Sequence, residues 1–146
     1  MKNKFFYSLM FLLVSLSTVG QKKVDWKDLS KVKFKEKYFK VYDEWMLYPN
    51  FSESVKALNG REISISGYFL DVDPTGKMYV LSKNPMSSCF FCGGGGLETA
   101  MELQFATKQK IKTDAIITVT GTLKLNKDDI EHFNYILKNC NVTSEK

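Results

Sequence analysis

Two cysteines three positions apart, followed by four glycines, are the residues of this chain most able to do chemistry. Cys89 and Cys92 enclose two phenylalanines and lead directly into Gly93–Gly96. Because glycine permits positive φ angles, such a loop can turn two sulfur atoms and several backbone amides toward one point. Thiolates bind soft or borderline ions such as Zn²⁺ and Cu⁺, and a Cys-x-x-Cys segment supplies half of a tetrahedral set. The pattern therefore indicates a metal site on Cys89 and Cys92, with zinc as the candidate ion.

The remaining ligands of a zinc site would have to come from other parts of the chain. The candidates are Cys140, the single histidine His132, and an acidic residue such as Glu98. A second Cys-x-x-Cys segment, which would complete a four-sulfur site, is absent from the sequence. The other residues of the proposed binding loop are Ser88, Phe90, Phe91, Gly93, Gly94, Gly95 and Gly96.

The same two cysteines fit two other interpretations. Cys-x-x-Cys is the spacing of redox-active thiol–disulfide pairs, and compartments outside the cytosol are oxidising. The glycines after Cys92 argue against the helix on which thioredoxin-like proteins carry this pair. Covalent haem attachment is excluded, because it needs histidine at position 93, which is glycine. The third interpretation is a structural pair that anchors a long loop.

The sequence contains no evident catalytic constellation, and it favours a protein that is not an enzyme. His132 adjoins Asp128, Asp129 and Glu131, which resembles a hydrolytic cluster. A single histidine without a positioned nucleophile is too little for a triad. We therefore interpret this cluster as a turn rich in solvated charge.

The beginning of the chain predicts export. Lys2 and Lys4 precede an apolar run over 5–14, and small polar residues lead to Gly20, which is the layout of a cleavable signal peptide. The predicted organisation is a signal peptide over 1–20, an N-terminal extension with a short helix over 21–60, and a barrel over 61–146, the last two forming one domain. We expect a periplasmic or secreted protein with no transmembrane span after cleavage.

The charge of the chain indicates which class of partner to expect. The 21 basic and 16 acidic residues give a formal net charge of +5, which falls to +3 without Lys2 and Lys4. The basic residues are interspersed with acidic ones, whereas a nucleic-acid surface needs clustered basic residues. We therefore expect no nucleic-acid partner, and the candidate partner is another envelope protein.

Alternation of apolar and polar residues predicts five strands from position 61 onward. Residues 61–69 and 115–125 alternate most regularly, and the others are placed near 77–82, 100–105 and 133–140. Gly67 and Gly121 interrupt two of these strands, where a coiled strand bends or another backbone approaches closely. The prediction is a mainly β fold, a small five-stranded OB-like Greek-key barrel with one or two short helices.

Upstream of the barrel, one helix is clear and one segment is ambiguous. Ser52 as N-cap and Gly60 beyond the end predict a short helix between them. Residues 32–48 fit either a strand or a helix, because Val32 and Phe34 alternate while Tyr38, Val41, Tyr42 and Trp45 have helical spacing.

Several of these segments together resemble a known family. They are Val24–Leu29, Leu58–Tyr68, the cysteine loop after Leu81-Ser82, and Ile117–Leu123. They are similar to a bacterial exported family of unknown function with an OB-like barrel, marked by a Trp-x-x-Leu start, a Gly-Tyr strand and a proline-rich cysteine loop. Because its loop is glycine-rich and contains Cys-Phe-Phe-Cys, this chain resembles a Bacteroidota-type branch. The resemblance implies a fold and an exported location, and it transfers no catalytic residue.

The sequence as a whole predicts an exported small binding module that engages its ligand near Cys89–Gly96. The alternatives are a thiol–disulfide redox protein and an accessory subunit of an envelope transport or assembly complex. In the second alternative, Phe90 and Phe91 would contact the partner, since exposed apolar residues mark interaction sites.

Overall fold

The computed structural model describes residues 20–73, 75 and 78–145, and it describes the backbone but not the side chain of Phe90. The predicted signal peptide therefore lies outside the described residues except for Gly20. The strands are β1 (Lys22–Lys23), β2 (Val32–Phe39), β3 (Glu44–Phe51), β4 (Glu62–Asp71), β5 (Tyr79–Ser82), β6 (Ala100–Leu103), β7 (Ile116–Leu125) and β8 (Tyr135–Glu145). The helices are α1 (Trp26–Leu29) and α2 (Glu53–Lys56), and short 3₁₀ turns span Met86–Ser88, Phe90–Cys92 and Leu97–Thr99.

Five of the strands close into a barrel. β4 pairs antiparallel with both β5 and β7, β5 pairs antiparallel with β6, β6 runs parallel to β8, and β8 pairs antiparallel with β7. The short strand β1 adds to β4 in parallel. This order is that of an OB-like Greek-key barrel, so the predicted mainly β fold is confirmed.

Two glycines allow the barrel strands to approach one another closely. A Cβ atom on Gly67 would lie 2.6 Å from the carbonyl oxygen of Ser82, and one on Gly121 would lie 2.6 Å from that of Lys138. Both distances are shorter than a van der Waals contact, so any larger residue would push the strands apart. The close approach predicted at these two positions is confirmed.

The N-terminal extension packs onto the barrel through apolar and polar contacts. Leu29 is fully buried in the core, and its carbonyl oxygen accepts a hydrogen bond of 2.6 Å from the hydroxyl of Tyr135 in β8. The indole of Trp26 donates to the carbonyl oxygen of Ser66 at 2.8 Å. Burying a side chain the size of leucine contributes about 2 kcal/mol, so α1 adds to the stability of the barrel.

Local sequence signals explain both helices. In α1, Asp25 accepts a hydrogen bond from the backbone of Asp28, and Asp28 accepts one from the backbone of Asp25. In α2, Ser52 caps the first turn by accepting from the N–H of Val55, and Gly60 follows with a φ of 77°. The predicted helix after Ser52 is confirmed, while α1 was not predicted.

The ambiguous segment forms a two-stranded hairpin of β2 and β3, which projects from the barrel. Asp43 adopts a φ of 56° in the connecting turn, and its carboxylate accepts a hydrogen bond from the hydroxyl of Tyr38. The ammonium of Lys37 joins the hairpin to the barrel through an ion pair of 3.3 Å with Asp128. It also lies 3.8 Å from the ring centroid of Tyr48 on the neighbouring hairpin strand. The far end of the hairpin is exposed.

No helix among the described residues is long and apolar enough to cross a membrane.

Candidate functional site

A cleft of about 560 Å³ lies on the barrel wall. One side is formed by Asp73 and Met78 between β4 and β5 and by Tyr79 at the start of β5. The opposite side is formed by Glu102 in β6, by the segment 104–108 after it, and by His132 in the loop between β7 and β8. Three separate stretches of the barrel therefore meet around one opening.

Glu102 is a buried carboxylate at the base of this cleft, with 4% of its surface exposed. Its oxygens accept hydrogen bonds from His132 Nδ1 at 2.9 and 3.0 Å, from the side-chain amide of Gln104 at 2.8 Å, and from the N–H of Phe133 at 3.4 Å. A buried charge needs such partners, because an unpaired one costs several kcal/mol. Glu102 is thus held in a single position by three donors.

The geometry of the pair assigns a role to each nitrogen of His132. An ionised carboxylate only accepts hydrogen bonds, so Nδ1 carries a hydrogen and points at Glu102. The other nitrogen, Nε2, is then available to a ligand in the cleft. A carboxylate that fixes one ring nitrogen in this way is the usual means of orienting a histidine that binds or reacts through the other.

The loop that carries His132 is held by the side chain of Asn126. Its amide donates to the carbonyl oxygens of Asp129 at 2.7 Å, His132 at 3.1 Å and Phe133 at 3.2 Å, and it is 8% exposed. This side chain turns the segment 126–134 back on itself. The position of the His132 imidazole is therefore fixed by the hydrogen bond of its ring to Glu102 and by the hydrogen bond of its backbone carbonyl to Asn126.

The interpretation of this segment as a solvated charged turn is confirmed, because Asp128, Asp129, Glu131 and His132 are all exposed in the loop between β7 and β8. The pairing of the His132 ring with the buried Glu102 from another strand was not predicted. Sequence reasoning missed Glu102, which is 30 positions earlier and interrupts the otherwise apolar strand Ala100–Leu103. That interruption was the available signal, since a charged residue in the middle of a buried strand requires a partner.

The segment after β6 closes one side of the cleft and is itself anchored. The backbone N–H of Gln109 donates to the hydroxyl of Tyr79 at 3.0 Å. The rings of Phe105 and Tyr79 meet edge to face, with centroids 5.8 Å apart. These contacts give the cleft an apolar wall beside the polar Glu102–His132 pair.

The two loop cysteines lie together but differ in exposure. Cys89 is 1% exposed and packs with Leu70, Val80 and Ala100, whereas Cys92 is exposed. The N–H groups of Cys92 and Gly94 both donate to the carbonyl oxygen of Cys89, at 3.1 and 3.0 Å, which closes a tight turn. Both thiols are free in this structure.

The environment of Cys92 favours its neutral thiol. Loss of surrounding water raises the pKa of Cys92, and the charge and hydrogen bond of the nearby Cys89 raise it further. The Cys92 thiol also donates to the carbonyl oxygen of Met86 at 3.1 Å. Cys92 is therefore a weaker nucleophile at neutral pH than a free cysteine.

The candidate third ligands lie in separate surroundings. The Cys140 thiol donates to the carbonyl oxygen of Leu137 at 3.0 Å, and burial raises its pKa to about 12. Burial raises the pKa of Tyr135, and the charge of Glu98 raises it further. His132 pairs with Glu102. Within the part of the chain that the structure describes, no three His, Cys, Asp or Glu residues form a group suited to a metal. Zinc binding by Cys89 and Cys92 stays a prediction.

The aromatic contact between Phe91 and Phe133 connects the cysteine loop to the cleft. Phe91 is 51% exposed, and its ring meets that of Phe133 edge to face with centroids 5.9 Å apart. Phe133 follows His132 directly and also packs against the cluster that contains Cys89. The two candidate sites are therefore neighbours.

The fold and the cleft define a small protein with an OB-like barrel. Comparison of the chain with protein-family models, curated proteins and solved structures finds no match. The resemblance to an exported bacterial family accordingly stays a prediction.

Proposed function

We propose that this chain is an exported, periplasmic or secreted binding module that holds a small polar ligand in the cleft over Glu102 and His132. The observation that carries the proposal is the His132 imidazole, which the buried Glu102 fixes at the base of the barrel's wall cleft. Ligands of OB-type barrels bind on the face formed by the second and third barrel strands and by two adjoining loops. By analogy of fold, β5, β6 and the loop containing His132 occupy that face.

The chemistry of the cleft suits an uncharged molecule with several hydroxyl groups, such as an oligosaccharide. Met78 and Phe105 offer apolar contact to the C–H face of a sugar ring, while His132 and Lys108 offer hydrogen bonds to its hydroxyls. Glu102 is already saturated by its three donors, and Asp73 and Lys108 carry opposite charges. A strongly charged ligand therefore has little electrostatic advantage here.

The test is calorimetric titration of residues 21–146 with tetrasaccharides of β-linked glucose and of β-linked N-acetylglucosamine. We expect binding of at least one, and a loss of affinity of roughly tenfold in His132→Ala, because one good hydrogen bond contributes about 1.4 kcal/mol. Glu131→Ala is the matched control, since Glu131 lies exposed in the same loop and does not line the cleft. Equal affinity in His132→Ala and in the unmodified protein would show that the cleft is not the site.

A second candidate function is an accessory subunit that binds another envelope protein through the cysteine loop. It is favoured by the exposure of Phe91, which is 51% exposed at the edge of this loop. A photoreactive amino acid at position 91 should then give one discrete crosslinked product in cells, whereas the same group at the exposed Ile116 should give none. Equal crosslinking at both positions would indicate random encounters.

A further inference from the structure

We propose that Cys89 and Cys92 form a thiol–disulfide exchange site in which the exposed Cys92 reacts first with a disulfide-containing substrate and the buried Cys89 completes the reaction. This goes beyond ligand binding in the cleft and does not depend on it. The substrate class is a disulfide that can reach the surface of the loop, either a small molecule or an exposed bond of another protein.

The backbone of the loop holds the two cysteines in one tight turn. The carbonyl oxygen of Cys89 accepts from the N–H groups of Cys92 and Gly94, so the chain returns on itself within three residues. Gly93 has a φ of 75°, and a Cβ on Gly94 would lie 2.1 Å from the carbonyl oxygen of Ser88. Both positions therefore favour glycine, and the turn that they allow keeps Cys92 beside Cys89.

Exposure sets the order in which the cysteines react. Exchange requires a thiolate to approach a disulfide sulfur along the S–S bond, so the first thiol must be accessible. Cys92 meets that condition, while Cys89 is sealed among Leu70, Val80 and Ala100 with 1% exposure. Cys89 can nevertheless reach Cys92 from inside, because both side chains leave one turn, closed by the hydrogen bond of 3.1 Å from the Cys92 N–H to the carbonyl oxygen of Cys89.

The reaction balances in two steps. The Cys92 thiol loses its proton and attacks one sulfur of the substrate, forming a mixed disulfide, and the substrate's own S–S bond breaks. The first half of the substrate leaves with the electron pair of that bond and takes up a proton. Cys89 then loses its proton and attacks the Cys92 sulfur, forming the internal disulfide and releasing the second half as a thiol. Two protein thiols are oxidised, and one substrate disulfide is reduced to two thiols.

The experiment uses residues 21–146, reduced, in a chelator-containing buffer with oxidised glutathione as the substrate. Samples are quenched by alkylation and analysed by peptide mass spectrometry. We expect the unmodified protein to lose the thiols of Cys89 and Cys92 together and to carry no glutathione at the end. Cys140 serves as an internal control, because it is half-buried with a pKa raised to about 12 and should therefore take up no glutathione. Alkylation in denaturant should still find its thiol free.

Single variants test the order of the two cysteines. Cys89→Ala should stop at one glutathione bound to Cys92. It should acquire this adduct at least tenfold faster than Cys92→Ala acquires one on Cys89, because the rate of exchange depends on how accessible the thiol is.

Three outcomes would each overturn the proposal. They are equal rates in the two variants, a final glutathione adduct on the unmodified protein, and no reaction with excess oxidised glutathione. If circular dichroism shows that Cys89→Ala does not fold, early time points of the unmodified protein decide. Glutathione must then appear on Cys92 and not on Cys89.

Discussion

The barrel wall and the cysteine loop both depend on crowded glycines, and the comparison shows that the surroundings of a contact matter as much as its length. In the wall, a Cβ on Gly121 would meet the carbonyl oxygen of Lys138 at 2.6 Å. In the loop, a Cβ on Gly94 would meet that of Ser88 at 2.1 Å, which is shorter. Lys138 belongs to β8, which is bonded to β7 and β6, whereas Ser88 belongs to a short 3₁₀ turn. A clash at Gly121 would therefore displace two paired strands of the barrel, whereas a clash at Gly94 would displace a loop outside the sheet.

The same difference separates the two candidate sites. The Glu102–His132 pair is built into the wall and is fixed by hydrogen bonds from two segments, Gln104 after β6 and the loop 126–133, which suits a site that must recognise a ligand. The cysteine pair belongs to a loop of short 3₁₀ turns outside the sheet. Loops move more readily than paired strands, which suits sulfur atoms that must come into bonding distance.

The largest expected effect is in the wall. We expect Gly121→Ala to lower the free energy of unfolding by about 3 kcal/mol, the upper end of the cost of overpacking, because β7 and β8 must separate. Urea unfolding followed by circular dichroism measures it. Thr122→Ala, in the same strand, is the control, and a loss below about 1 kcal/mol in Gly121→Ala would show that the wall yields as easily as the loop.

Removing the buried carboxylate should cost less. Glu102→Ala leaves the side chain of Gln104, the ring of His132 and the N–H of Phe133 without their acceptor, so we expect a loss of about 2 kcal/mol. Urea unfolding of this variant is compared with that of Glu145→Ala, at the exposed end of β8, which should change stability by less than about 0.5 kcal/mol. Equal stability of both variants would mean that the pair is not part of the rigid wall.

Tyr135 provides a pH-dependent test of the wall. Its pKa is raised from the ordinary value of 10.0 by burial and by the charge of Glu98. Above pH 10 the folded protein therefore binds more protons than the unfolded chain, and stability falls as the pH rises, while below pH 10 this contribution is fully present. Tyr135→Phe should cost about 1 kcal/mol at pH 7, through its lost hydrogen bond to Leu29, and should weaken the alkaline decline.

Thermal unfolding from pH 7 to 11 measures both effects. Tyr42→Phe, an exposed residue in the hairpin turn, is the matched control. An identical alkaline decline in Tyr135→Phe and in the unmodified protein would contradict the assignment to Tyr135.

The smallest effect on stability is expected in the loop. Gly94→Ala should lower the free energy of unfolding by at most about 1 kcal/mol, the lower end of the cost of overpacking, because the clash with Ser88 displaces a loop and not two paired strands. The same change should slow formation of the Cys89–Cys92 disulfide by oxidised glutathione, because the turn that holds the sulfurs together is displaced. A loss of stability as large as that of Gly121→Ala would remove the distinction between wall and loop.

The sequence predicts the barrel well because its main signals are local. Alternation in 61–69 and 115–125 marks β4 and β7, and the glycines at 67 and 121 mark their close approaches. The pair of Glu102 and His132 could not be derived in this way, because it joins residues 30 positions apart that only barrel closure brings together. The hairpin was ambiguous for a different reason: its exposed end has no buried face to impose a period of two.

The two tryptophans of the chain lie in contrasting surroundings, which has a practical consequence for spectroscopy. Trp45 on the projecting hairpin is 69% exposed, whereas Trp26 is half-buried and donates its indole hydrogen to Ser66. Replacing either one by phenylalanine leaves a single fluorophore. The fluorescence of the variant that retains Trp26 should change when the N-terminal extension detaches from the barrel. The fluorescence of the variant that retains Trp45 should change when another molecule contacts the hairpin.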